Sequence, residues 1–172
     1  MKNLIAIAAG SVLISACAGI AGTTEKSAVA FLQPTQGNQA NGAVTFSQSG
    51  NTVFAEAKVA GLTPGSHGFH IHEKGDCSAP DATSAGGHFN PDGAPHGAPQ
   101  SAKRHAGDLG NLTADKSGEA TLKIRVPGVT LADGPNSIKG KGVIVHAMPD
   151  DLTSQPAGNA GPRVACGVIG LR

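Results

Sequence analysis

The stretch GSHGFHIH, residues 65–72, carries the clearest strand signal in the chain. It has no helical apolar period, and its aromatic and β-branched residues alternate with histidines. In a strand, side chains two positions apart share a face, so His70 and His72 are predicted to point the same way. Phe69 and Ile71 then face a core. On a helix the two histidines would lie about 200° apart, given about 3.6 residues per turn.

The rest of the chain continues this β pattern. Glycine accounts for 25 of 172 residues, about twice its average usage, and no stretch of ten residues carries a convincing helical stripe. Ser49-Gly50-Asn51 is a hairpin signal between two apolar runs. Many short strands with Gly- and Pro-rich turns predict an all-β sandwich or barrel. The predicted strands lie at residues 28–32, 43–46, 52–59, 119–126, 142–146 and 164–171.

A long segment without sustained periodicity follows the first histidines. Between Glu73 and Arg104 the residues Gly, Pro, Ser, Ala and Asp dominate. A loop of this length is uncommon in a compact domain unless it carries function or is pinned. We therefore expect a functional loop, fastened by a disulfide, by a metal or by its contacts with the barrel.

Six of the seven histidines form a constellation that predicts metal binding. Imidazole binds copper and zinc as a neutral nitrogen donor. Six imidazoles and one carboxylate exceed the four ligands of a tetrahedral site, so their number suggests two metals. His67, an odd number of residues from His70, is predicted to be structural. The alternative, scattered surface histidines, does not account for the accompanying glycines and cysteines. The candidate ligands are His70, His72, His88, His96, His105, His146 and Asp108.

Five motifs, in this order, make the chain resemble the copper/zinc superoxide dismutases. The likeness spans roughly residues 27–172 and implies an eight-stranded Greek-key flattened barrel of immunoglobulin-like architecture, with long metal-binding and electrostatic loops. The motifs are GFHIHEKGDC at 68–77, SAGGHFNP at 84–91, HAGDLGNL at 105–112, VIVHAMPDDL at 143–152 and GNAGPRVACGVIG at 158–170.

The resemblance divides the candidate ligands between two metals. His88 would bridge the metals as an imidazolate, an anion that two cations stabilise. The implied copper ligands are His70, His72, His88 and His146, and the implied zinc ligands are His88, His96, His105 and Asp108.

The resemblance also implies an activity, the conversion of two superoxide anions and two protons to dioxygen and hydrogen peroxide by copper redox cycling. His88 would carry a proton, and Arg163 would guide the anion with its permanently charged fork. Asp150 would link a copper histidine to a zinc histidine. Cys77 and Cys166 would form the family's intrasubunit disulfide, which closes a loop of about 90 residues.

The first residues are predicted to be a targeting segment. Lys2 precedes a brief apolar run, and LISAC at 13–17 resembles a bacterial lipobox. Residues 1–16 would be a lipoprotein signal peptide, and 17–26 would be a lipid-anchored linker that begins at a lipidated Cys17. The domain would then occupy 27–172. An ordinary secretory leader with an incidental cysteine is the alternative.

The lipobox predicts that the enzyme lies in the periplasm, held by lipid to a membrane, with the outer membrane favoured. There it would protect the cell envelope from superoxide.

The chain has 13 Lys and Arg and 12 Asp and Glu, and this nearly neutral charge argues against a nucleic-acid partner. A copper-delivery module without catalysis and a periplasmic metal buffer are the rival functions.

The segment between His146 and Gly158 departs from the familiar eukaryotic enzymes. It is shorter, lacks their steering charges after Asp151, and has Ala157 where they have a threonine. These departures and the lipobox together resemble the bacterial branch of the family. Its members do not share the eukaryotic dimer face, so the sequence leaves a homodimer possible without predicting its interface. The remaining candidates for steering the substrate are Lys74, Lys103 and Arg104, each of which could equally be an ordinary solvated cation.

Overall fold

The computed structural model describes residues 26–172, which contain nine strands and one 3₁₀ turn, Thr83–Ala85. The predicted signal peptide and Cys17 lie outside the described residues. The described part of the chain has no helix long and apolar enough to cross a membrane. The strands are β1 Lys26–Pro34, β2 Asn41–Ser49, β3 Thr52–Ala60, β4 Gly65–His72, β5 Asp108–Ala114, β6 Ala120–Val126, β7 Gly142–His146, β8 Arg163–Val168 and β9 Gly170–Leu171.

Eight strands follow one antiparallel path, β5-β4-β7-β8-β1-β2-β3-β6, and the two-residue β9 pairs with β1. Strands β5 and β6 at the two ends of the path lie side by side, which nearly closes the barrel. Strands β4 to β7 have the spatial order β7-β4-β5-β6, which is the arrangement of a Greek key. The predicted eight-stranded all-β barrel is therefore confirmed.

Strand β1 connects the two faces of the flattened barrel. Its first part pairs with β2 and β9, whereas Gln33 and Pro34 at its end pair with β8. One face is thus β1-β2-β3-β6 and the other is β5-β4-β7-β8. The predicted hairpin joins β2 to β3 through Gly50 and Asn51, and Gly50 has the positive φ of +57° that such a tight turn requires.

The alternation within β4 separates the core from the candidate ligands. Phe69 and Ile71 are fully buried in the main apolar core inside the barrel. His70 and His72 lie on the opposite face of the strand, as the two-residue period predicts. A smaller apolar cluster of Ala82, Ala85, Ile144 and Cys166 packs on this outer side. The long loop is therefore held against the barrel wall.

One strand was absent from the sequence prediction. Residues 108–114 form β5, which pairs with β4. Gly110 and Asn111 interrupt the apolar alternation there, so the periodicity that revealed the other strands is missing. The predicted run at 164–171 is also divided at Ile169 into β8 and β9.

Candidate metal centre

The seven candidate ligands meet on the outer face of the β4–β7 pair, where residues 73–107 and 147–162 cover them. All seven are buried, none with more than 8% of its surface exposed. They form two clusters, and within each cluster one ligand atom per residue lies within 4.8 Å of the others. The first metal cluster is His70, His72, His88 and His146, and the second metal cluster is His88, His96, His105 and Asp108.

Backbone carbonyls orient two rings of the first metal cluster. His72 Nδ1 lies 2.9 Å from the oxygen of Gly86, and His146 Nδ1 lies 3.0 Å from the oxygen of Gly161. Because a carbonyl only accepts, each Nδ1 carries the proton and each Nε2 keeps its lone pair. Both Nε2 atoms are buried and have no hydrogen-bond partner among the described residues. A metal ion is the partner that such converging lone pairs fit.

Burial keeps these imidazoles neutral. It lowers the pKa of His70 to about 4 and that of His146 to about 3, and it holds the pKa of His72 well below its usual value. A metal binds the neutral form of imidazole, so no proton has to be removed near neutral pH.

The donors of the second metal cluster lie close enough together for a tetrahedral zinc site. Asp108 Oδ1 lies 2.8 Å from His88 Nδ1, 3.0 Å from His96 Nδ1 and 3.2 Å from His105 Nδ1. His88 Nδ1 and His105 Nδ1 are 3.3 Å apart. Zinc bonds of about 2.0–2.1 Å place tetrahedral ligand atoms about 3.3 Å from one another. The four donors can therefore surround one ion.

Hydrogen bonds orient the carboxyl group of Asp108 and favour its ionised form, as binding a metal ion requires. Its Oδ2 accepts the backbone N–H groups of Gly97 and His105, which leaves Oδ1 facing the three imidazoles. Burial alone would raise the pKa of Asp108, but the hydrogen bonds from His88 and the Gly97 N–H lower it well below its usual range. Asp108 is thus ionised and offers an anionic oxygen.

His88 belongs to both clusters through different nitrogens. Its Nδ1 faces Asp108, while its buried Nε2 has no hydrogen-bond partner among the described residues. Its ring centroid lies 4.0 Å from that of His70 and 5.1 Å from that of His72. One imidazole therefore joins the two sets of donors.

Asp150 links the clusters a second time. Its Oδ2 lies 2.8 Å from His70 Nε2 and its Oδ1 lies 2.9 Å from His96 Nε2. Burial alone would raise the pKa of Asp150, but hydrogen bonds from His70, the Leu152 N–H and His96 lower it. Gly158 lies against this contact with φ +65°, and a Cβ there would come within 1.8 Å of Asp150 Oδ1. Both the backbone conformation and the available space require glycine.

Arg163 lies beside the first metal cluster, opposite His146 in the β7–β8 ladder. Its guanidinium donates to the carbonyl oxygens of Ala82 and Gly86, so residues 73–107 hold it in place. The oxygen of Gly86 also accepts from His72. Burial lowers the pKa of Arg163, but an arginine stays charged at any physiological pH. A fixed positive charge therefore stands next to the free imidazole nitrogens.

The structure contains a disulfide between Cys77 and Cys166, which ties the loop of residues 73–107 to β8.

Among the steering candidates, Arg104 donates to the carbonyl oxygens of Pro99, His105 and Pro127. Its guanidinium is therefore committed to holding the loop. Lys74 and Lys103 are exposed.

Residues 40–169 match the copper/zinc superoxide dismutase (SODC) family. The chain belongs to the copper/zinc superoxide dismutases. Superoxide dismutase (Cu-Zn) 2 of Brassica juncea is 48% identical over 151 residues, which covers 84% of this chain and 97% of that relative. The chain is thus an oxidoreductase that acts on superoxide, with copper and zinc as cofactors, and the two clusters of donors fit these metals.

Some functional contacts of this superoxide dismutase were not apparent from its sequence. Asn111 holds the backbone of Asp150, and Gln155 holds the backbone of His96. Neither amide belongs to a pattern with its distant partner, so only the folded chain reveals them. His67 lies 2.8 Å from the carbonyl oxygens of both Thr63 and His146, which agrees with the structural role expected from its position in β4.

The buried histidines predict how the stability of the metal-free superoxide dismutase depends on pH. The pKa of His70 is about 4 and that of His146 about 3, and that of His72 is also lowered, whereas an unfolded chain has histidine pKa values near about 6.5. Below about pH 6.5 the histidines of the unfolded chain therefore bind protons, whereas the same histidines in the folded chain stay neutral. Stability present above this pH falls as the pH decreases, by about 1.4 kcal/mol per unit for each histidine.

Urea unfolding in the presence of a chelator, at half-unit steps from pH 7.5 to 4.5, measures this dependence. We expect a free energy of unfolding that levels off toward pH 7.5 and falls increasingly steeply as the pH decreases through 6.5, because several buried histidines contribute. A stability that is constant between pH 7 and 5 would show that these rings are not buried in the metal-free protein.

Proposed function

We propose that His70, His72, His88 and His146 hold copper and that His88, His96, His105 and Asp108 hold zinc, with His88 shared between them. The observation that carries this assignment is the pair of donor clusters, each with its ligand atoms within 4.8 Å of one another. When bound, copper supplies the one-electron redox chemistry that dismutation needs, and zinc, which has none, supplies charge and structure.

His88 is the residue suited to carry a proton. Dismutation of two superoxide anions consumes two protons, so a proton must reach the reduced product within the site. His88 Nε2 is buried in the first metal cluster and has no hydrogen-bond partner among the described residues. Its other nitrogen faces Asp108 at 2.8 Å. The ring can therefore carry a proton at Nε2, while the contacts of Nδ1 in the second metal cluster keep the ring in its orientation.

Arg163 is the residue suited to bind the anion. The carbonyl oxygens of Ala82 and Gly86 hold its guanidinium in position. Arg163 pairs with His146 across the β7–β8 ladder. A small anion that approaches the free imidazole nitrogens meets a preorganised positive group, which needs no rearrangement to stabilise it. Arg163 therefore orients superoxide and offsets its charge.

Replacing Arg163 with alanine tests this role. We expect kcat/KM for superoxide to fall about 10–100-fold, because a charge-assisted contact in a partly desolvated site contributes about 1.4–2.7 kcal/mol. Copper and zinc contents should remain at the wild-type level. The dependence of the rate on ionic strength should also weaken, since the local positive field is lost.

Arg125, exposed on the distant strand β6, provides the matched control, because Arg125→Ala removes the same formal charge. We expect it to change kcat/KM less than twofold. Equal losses for the two variants would mean that overall charge, rather than a positioned guanidinium, guides the anion.

We further propose that the chain is an exported lipoprotein, anchored through Cys17 in the periplasm and favouring the outer membrane, where it protects the cell envelope. The lipobox-like residues 13–17 support this proposal. The disulfide between Cys77 and Cys166 is also in keeping with an oxidising compartment. In this account residues 17–26 join the lipid to the barrel.

The location is tested by Cys17→Ala in the full chain. A stable lipid anchor depends on the acylated cysteine, so the variant should move from the membrane fraction to the soluble fraction or remain unprocessed. The measurement is fractionation followed by immunoblotting and mass determination of the N-terminus. Ser15→Thr, a conservative change nearby, serves as the control. Unchanged membrane association of Cys17→Ala would contradict the anchor.

A further inference from the structure

Gln155 contacts both backbone groups of the candidate zinc ligand His96. The His96 N–H donates to Gln155 Oε1 at 2.8 Å, and Gln155 Nε2 donates to the His96 carbonyl oxygen at 3.0 Å. One carboxamide thus satisfies both backbone groups of one residue, as a neighbouring strand would. His96 is 4% exposed, and among the described residues its backbone groups have no other hydrogen-bond partner.

The segment that carries Gln155 is braced by its own hydrogen bonds. Asp151 accepts the N–H groups of Thr153 and Ser154 and the side-chain amide of Asn159. The backbone of residues 151–158 is closed by bonds from the Asp151 N–H to the Gly158 oxygen and from the Gly158 N–H to the Ser154 oxygen. Gln155 is therefore presented to His96 from a small, defined unit.

An equivalent contact holds the backbone of Asp150, which accepts the hydrogen bond from His96. Asn111 Nδ2 donates to the Asp150 carbonyl oxygen at 2.9 Å, and the Asp150 N–H donates to Asn111 Oδ1 at 2.7 Å. Both residues of this hydrogen bond are thus held at the backbone by a carboxamide. This leaves the His96 ring little freedom, with Nε2 on Asp150 and Nδ1 in the second metal cluster.

We propose that Gln155 is a positioning residue that sets how firmly this chain retains zinc, by fixing the backbone of His96 from the loop of residues 147–162. This proposal rests on the assignment of His96 to zinc. Because Gln155 is exposed, water would replace the lost carboxamide on both His96 backbone groups, so the fold would keep its stability while the ring loses its fixed approach to the metal. Three of the four proposed copper ligands, His70, His72 and His146, stand on β4 and β7, so copper retention should not change.

Two variants of the full, copper- and zinc-loaded chain test the proposal. Gln155→Ala removes both hydrogen bonds to His96, together with the weaker bond from Gln155 Nε2 to the Thr153 oxygen at 3.2 Å. Gln155→Glu keeps the acceptor for the His96 N–H but replaces the donor with a second, charged oxygen that repels the His96 carbonyl oxygen. Gln100→Ala is the matched control, because Gln100 is an exposed glutamine of the loop at residues 73–107.

The readouts are the rate of zinc transfer to a chelator, the copper content, the visible spectrum of Co²⁺ placed in the zinc site, and urea unfolding of the metal-free protein. For both Gln155 variants we expect zinc transfer about tenfold faster and a changed Co²⁺ spectrum. Copper content and metal-free stability should equal those of the wild type and of Gln100→Ala.

Zinc transfer within twofold of the wild type would overturn the proposal. Faster transfer with a matching loss of metal-free stability would also overturn it, because Gln155 would then act on the fold and not on the ligand. A wild-type chain that takes up no zinc would instead refute the assignment of His96, which distinguishes failure of the proposed function from failure of this inference.

Discussion

Replacing Cys77 with serine is expected to lower the free energy of unfolding by about 4–5 kcal/mol. The disulfide joins residues 89 positions apart, and in a chain-entropy model a closed loop of that length restricts the unfolded chain by about this amount. A domain of this size is commonly stable by only about 5–15 kcal/mol, so the loss is a large part of the whole. Cys77 is only partly buried, which makes it the gentler of the two positions to change.

The measurement is urea unfolding of the metal-free protein, with Ser78→Ala, an exposed neighbour, as the control. The same variant should also lower kcat/KM of the metal-loaded enzyme, because the disulfide fastens the loop whose carbonyl oxygens at Ala82 and Gly86 hold Arg163. An unfolding midpoint equal to that of the wild type would contradict the stabilising role of the bridge.

Asp150→Asn is expected to lower zinc affinity about 10–100-fold, the usual cost of losing an outer partner of a metal ligand. Asp150 accepts from His70 and His96 on separate oxygens. Asparagine keeps the volume but offers one oxygen and one NH₂ group, and the NH₂ group would face an imidazole N–H. Zinc should be lost before copper, because His96 stands on a loop whereas His70 stands on β4.

Asp151→Asn is the matched control in the adjacent position. Asp151 is exposed and accepts from Thr153, Ser154 and Asn159, so it closes its own loop and does not contact a ligand. We expect normal zinc and copper contents for this variant. The test is metal content with activity for both variants side by side, and equal or reversed effects would mean that the other aspartate links the two clusters.

Much of the barrel was predictable because its strands show their period in the sequence. In β4, the alternation of Phe69 and Ile71 with His70 and His72 set both the element and its inner face. Strand β5 escaped detection because Gly110 and Asn111 replace the apolar alternation that a prediction relies on. Its Asn111 instead bonds to Asp150, a contact between residues 39 positions apart.

The candidate ligands were predictable as residue types, whereas their supporting contacts were not. Histidines and one aspartate at familiar motif positions indicated two clusters before any geometry was known. The carbonyl oxygens of Gly86 and Gly161 that orient His72 and His146 belong to the backbone, which has no sequence signature. The same holds for Gln155, whose amide reaches His96 only because its loop folds onto that residue.

Two buried donor clusters that share His88 are expected to bind two metals, and the metal-loaded chain is expected to dismutate superoxide. The most direct test is to load the purified chain with copper and zinc, determine both metals per chain, and follow superoxide decay on the same sample. We predict one copper and one zinc per chain, with kcat/KM of about 10⁸–10⁹ M⁻¹s⁻¹, near the diffusional ceiling. A single metal equivalent, or two metals without turnover, would contradict the account and favour a metal buffer or a copper-delivery module.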